Sequence, residues 1–162
     1  MLPRTLVLVA LAAAGCATPD LSGDYVVEVT TGPRGCPTPD LWEEGTAAGI
    51  DLTVTHDVDD PDGGVTLVVG GTTGFFYGRS VGEFTLTGEA TGGEIEASVL
   101  GDLTYRAGMC TWDWRLELDA TVTGDDIAGT ITWVPVTNGH PDCGEYATCR
   151  NTQTFAGARP SP

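Results

Sequence analysis

The stretch Thr111 to Thr123 alternates strictly. Trp112, Trp114, Leu116, Leu118, Ala120 and Val122 hold one parity, while Thr111, Asp113, Arg115, Glu117, Asp119, Thr121 and Thr123 hold the other. Side chains along a strand point alternately to its two faces, so this run has one face for a core and one for water. Cys110 shares the apolar parity and is expected to point inward. Shorter runs repeat the pattern about every ten residues: Tyr25, Val27 and Val29; Ile50, Leu52 and Val54; Val65, Leu67 and Val69; Phe84 and Leu86; Ile95, Ala97 and Val99; Ile131 and Trp133. A last strand around Asn151 to Ala158 buries Phe155. No long segment has helical periodicity, so the chain reads as all-β with eight or nine strands.

Glycine-rich turns at Asp62-Gly63-Gly64, Gly70-Gly71, Gly92-Gly93 and Gly124-Asp125-Asp126 separate these runs and are short enough for hairpins, making successive strands antiparallel neighbours. Two connections are longer. Residues 32–49 hold Pro33, Cys36, Pro37 and Trp42, with a helical turn expected over Asp40 to Glu44; residues 135–148 hold Pro135, His140, Pro141 and Cys143. Eight such strands close most economically into an up-and-down antiparallel barrel, because closure removes exposed sheet edges. The alternative is a two-sheet β-sandwich.

The N-terminus carries Arg4, an apolar run from Leu6 to Ala14, and then Gly15-Cys16. That run would rise about 13 Å as a helix, against a hydrocarbon core of about 30 Å, so it reads as a secretory signal rather than a membrane span. Ala13-Ala14-Gly15-Cys16 resembles the lipobox of bacterial lipoproteins, with Ala13 where that family usually has leucine. The resemblance implies diacylglyceryl transfer to Cys16, cleavage after Gly15 and acylation (palmitate) of the new terminus, with several acyl chains making membrane residence stable. The expected organisation is a signal over residues 1–15, a lipidated spacer over 16–22 and a single domain over 23–162. The resemblance also implies an envelope location, with the residue after Cys16 favouring the outer membrane.

A second resemblance rests on Gly23-Asp24-Tyr25, which is similar to the Gly-x-Trp opening of lipocalins and other calycins, and on the long connection after the first strand. It implies a barrel whose mouth is covered by that connection, and an arginine near the last strand packed on the aromatic ring, for which Arg150 and Arg159 are the candidates. The hairpin Asp126-Ile127-Ala128-Gly129-Thr130 also resembles one in uncharacterised small acidic lipoproteins.

Charge limits the partners. Acidic residues number 23 against seven basic ones, all arginine, and losing Arg4 with the signal leaves 6 − 23 = −17. Such a field repels nucleic acid and anionic lipid surfaces. Apart from Cys16, the cysteines form an even set, Cys36, Cys110, Cys143 and Cys149, which in an exported chain reads as two disulfides. Three pairings exist. The short spacing favours Cys143 with Cys149, leaving Cys36 with Cys110.

Catalytic chemistry has little to build on. The two histidines, His56 and His140, lie near no Gly-x-Ser-x-Gly elbow, and outside the spacer and tail the serines are Ser80 and Ser98. No catalytic residues, enzyme activity or cofactor are therefore expected. The run His56 to Gly64 is acidic enough for calcium but lacks the required register, and it reads as a solvated hairpin tip. Disulfide bonding of Cys143 and Cys149 leaves no thiolate for zinc beside His140, so no metal is expected. Trp112, Trp114 and Trp133 face inward by parity and either fill the barrel or line a cavity, and Trp42 lies in the long first connection. These four are the candidate contacts for a small apolar or amphipathic ligand inside the barrel. The alternative is a structural or interaction lipoprotein with a solid core and no internal ligand, while the sequence leaves the oligomeric state open.

Overall fold

The computed structural model describes residues 19–37, 42–70 and 85–161. Cys16 and the signal lie outside them, as does Phe84. The chain forms β1 (Gly23–Thr31), β2 (Gly45–His56), β3 (Gly64–Val69), β4 (Thr85–Thr91), β5 (Glu94–Leu100), β6 (Tyr105–Ala107), β7 (Cys110–Thr123), β8 (Asp126–Thr137), a short 3-10 helix (Pro141–Ala147) and β9 (Asn151–Ala158). All ladders are antiparallel. Neighbours run β5-β4-β3-β2-β1-β9-β8-β7, and β5 pairs with β7 from Glu94↔Thr121 to Leu100↔Arg115, closing an eight-stranded barrel.

The extra strand is β6. At 14 residues β7 outlasts β5, and its upper part takes β6 on the same side through Tyr105↔Trp112 and Ala107↔Cys110. Three residues are too few to show periodicity, so no pattern announces β6 in the sequence.

The parities hold. Trp112, Trp114, Leu116, Leu118 and Ala120 are buried, as are Cys110 and Phe155, while Arg115 and Asp119 are exposed. Among the described residues, inward side chains of β1, β2, β3, β7, β8 and β9 meet so closely that the void among Val27, Val29, Leu118 and Phe155 has a volume of about 10 Å³. That is about one water-sized probe.

Several local expectations are corrected. β2 begins at Gly45, because its upper end continues the ladder with β1 past a bulge between Val27 and Val29, where Gly49 takes φ 72°. The first connection thus shortens to 32–44, and Trp42 to Glu44 are not helical; Asp40 and Leu41 lie outside the described residues. Gly70-Gly71 does not join two strands directly, since β3 ends at Val69 and β4 starts at Thr85, with 71–84 outside the described residues; Gly70 donates to the Asp51 carbonyl. Pro135 lies within β8, opposite Trp114. The Trp114 carbonyl accepts from Gly101 on the β5 side, so Pro135 turns its nitrogen toward β9, whose ladder has already ended at Trp133↔Asn151. No hydrogen bond is forfeited there.

Candidate functional site at the loop-bearing end

Antiparallel alternation sorts the connections between two ends. One end carries the tight turns at Gly92-Gly93 and Gly124-Asp125, the 57–63 loop, and the segment entering β1. The other end, the mouth, carries the long connections 32–44, 101–109 and 138–150, together with the end of β3 and the start of β4. Long connections on a rigid scaffold are where function concentrates.

At the opposite, closed end, Arg159 stands over the Tyr25 ring, 5.2 Å from its centroid, and donates to the Tyr25 hydroxyl (2.9 Å) and the Ser22 carbonyl (3.0 Å). A Cβ on Gly23 would meet Arg159 Nε at 2.7 Å, which explains the glycine before Asp24-Tyr25. Of the two arginine candidates Arg159 therefore packs on the opening aromatic, while Arg150 sits at the mouth beside Cys149.

The four tryptophans gather at the mouth. Trp42 is buried, donates from Nε1 to the Gly32 carbonyl (3.0 Å), and meets Trp133 edge-on with centroids 5.9 Å apart. Trp133 packs edge-on against Trp114 at 6.2 Å and donates to Gln153 Oε1, whose amide nitrogen donates to Thr31. Trp112 belongs to a separate stack, 4.1 Å from Tyr146 and 5.8 Å from Tyr105. Burial raises the pKa of both tyrosines above the ordinary value of 10.0, and the Glu145 charge adds to the effect at Tyr146. Together these rings form a packed plug. Asn151, fully buried, fastens the first connection by accepting from Gly35 (2.7 Å) and Cys36 (2.9 Å).

The disulfides differ from the expected pairing. Cys36 bonds Cys149 and Cys110 bonds Cys143. Local closure fails because residues 141–147 wind into the 3-10 helix with a kink at Gly144, turning buried Cys143 toward the start of β7 and leaving Cys149 beside the first connection. Both bridges staple the helix to the mouth, and the Tyr146 hydroxyl adds a bond to the Pro37 carbonyl.

Arg159, Asn151, Gln153 and the two tyrosines are the organising side chains that patterning undervalued. Asn151 and Gln153 share the inward parity of Phe155, a signal present in the sequence. His56 and His140 lie at opposite ends; His140 caps the 3-10 helix by accepting from Asp142 N (3.1 Å). In the 57–63 loop, Asp57 and Asp60 accept from the Asp59 and Asp62 amides, and among the described residues no three His, Cys, Asp or Glu side chains are grouped to hold a metal. On the outer wall, Glu89, Glu96 and Asp119 stand in one cross-strand row beside Glu117, lining an open concavity of about 480 Å³. The end of β5 and the connection from it to β7 expose Leu100 (51%), Leu103 (39%) and Met109 (62%) at the mouth rim. No protein-family model, curated protein or solved structure matches this chain.

Proposed function

We propose that the chain is a lipid-anchored envelope protein, attached through Cys16, that works through contacts made by its loop-bearing end and keeps no ligand inside the barrel. The observation that carries this reading is the close packing of the interior among the described residues, where the void lined by Val27, Val29, Leu118 and Phe155 is about 10 Å³, against about 300 Å³ for the smallest ordinary ligand pockets. The apolar rim of Leu100, Leu103 and Met109 supports it, because solvent-facing apolar side chains beside long loops suit a protein contact. Two disulfides agree with an oxidising compartment. The spacer enters at the closed end, so an anchor at Cys16 would leave the mouth directed away from the membrane.

Native mass spectrometry of the protein extracted from its own membrane tests this. The expected mass is that of residues 16–162 with acyl chains on Cys16, two disulfides and nothing else retained. A retained apolar molecule would overturn the filled-interior reading in favour of internal ligand binding. An unmodified Cys16 thiol would overturn the anchor.

A further inference from the structure

Where the chain enters β1, hydrogen bonds tie Leu21 and Ser22 to His56, Tyr25 and Arg159. The Leu21 amide donates to His56 Nδ1 (3.3 Å), and the His56 amide donates to Ser22 Oγ (2.9 Å). The Tyr25 hydroxyl donates to the Leu21 carbonyl (3.0 Å), and Arg159 donates to the Ser22 carbonyl. Leu21 and the imidazole are both buried, and His56 Nε2 is buried without a partner. Because Nδ1 accepts, the neutral ring carries its proton on Nε2. A second proton must go to Nδ1, where it faces the Leu21 N–H: the acceptor is lost, two donors oppose one another, and a cation occupies a buried site.

The surrounding groups define the setting. The entering segment brings Asp20, β1 the Tyr25 hydroxyl, and the end of β9 the Arg159 guanidinium, itself 3.6 Å from Asp125 of the β7–β8 turn. The loop after His56 carries Asp57, Asp59, Asp60 and Asp62, with Asp57 and Asp60 bonded within it. β3 and β4 present Val65, Leu67 and Leu86 to the core. Asp20 is held below the ordinary carboxylate value of 3.8 by bonds from the Ser22 amide and side chain, so it stays charged through the interval in which imidazoles titrate.

We propose that His56 is a proton-operated latch: charging its ring releases residues 19–22 from the closed end of the barrel. Given the anchor at Cys16 proposed above, release would free residues 17–22, about 20 Å of extended chain, and let the barrel stand farther from the membrane. The latch itself does not depend on the anchor.

Nuclear magnetic resonance of isotope-labelled full-length protein tests it, following the two imidazoles and amide protection, corrected for intrinsic exchange, from about pH 8 to about pH 5. The expected result is a loss of Leu21 protection of about tenfold or more, with the midpoint of His56 ring protonation, while Val27 and Leu52 stay protected. His56→Gln, whose side-chain oxygen can accept without titrating, should abolish the pH step. The proposal is overturned if the ring becomes doubly protonated while Leu21 stays protected, if it stays neutral throughout, or if His56→Gln shows the same step. Wild-type ring and amide signals decide the matter even if the variant does not fold.

Discussion

Removing the disulfides one at a time should rank them by the loops they close. Cys110–Cys143 spans 33 residues and Cys36–Cys149 spans 113. Taken as the single bridge left in the chain, the chain-entropy relation gives about 3.7 kcal/mol for the inner bridge and about 4.8 kcal/mol for the outer one. All four sulfurs sit at the mouth, so neither removal opens the closed end. The assay is urea unfolding of Cys110→Ala/Cys143→Ala and Cys36→Ala/Cys149→Ala, each checked for free thiols and followed by tryptophan fluorescence. Both double variants should remain folded; each keeps one bridge, closing 33 residues in one and 113 in the other, so the variant lacking the outer bridge should be less stable by about 1.1 kcal/mol. The loop-entropy account is refuted if the inner-bridge variant is the weaker. The pairing is refuted if either of the two cysteines remaining among Cys36, Cys110, Cys143 and Cys149 is free in a double variant, because each removal should leave one intact disulfide; Cys16 is left out of the count.

Two further outcomes follow from side chains at opposite ends. Arg159→Ala removes two charge-assisted hydrogen bonds and the Tyr25 stack and should cost about 2 kcal/mol, lowering Tm by about 4–8 °C for a domain of this size; Arg159→Lys should restore it only in part, since the shorter, non-planar ammonium does not stack on the Tyr25 ring as the guanidinium does. At alkaline pH, phenolate absorbance should show Tyr105 and Tyr146 ionising above 10.0. Their raised folded values mean that the stabilisation is fully present below the unfolded value and is lost as pH rises through the folded one, so thermal melts should decline on that side; ionisation at the ordinary value would refute the burial of both rings.

Alternation reads out a strand's parity because it concerns neighbours one residue apart, and Thr111 to Thr123 folds as that parity requires. Contacts set by closure are less accessible. The cysteine pairing depends on which connections share the mouth and on a kink at Gly144, neither of which has a local signature. The fifteen residues between β3 and β4 begin with a glycine pair that mimics a tight turn. The aromatic plug was half legible: parity places Trp112, Trp114 and Trp133 inward, but only the fold shows that Trp42 descends onto Trp133 and that Trp112 stacks with tyrosines instead. Arg159 was ambiguous for a similar reason, since its approach to Tyr25 depends on β9 lying beside β1.

The position of β1 has a mechanical consequence. Its residues are bonded to β2 on one side and β9 on the other, over most of its length. A load applied between the entering segment at Leu21 and the mouth therefore runs along the strand. Antiparallel hydrogen bonds lie across that direction, so the two ladders are sheared with their bonds strained together instead of being opened one after another. A barrel held by its first strand and pulled from its far loops thus meets tension in the geometry that best resists it.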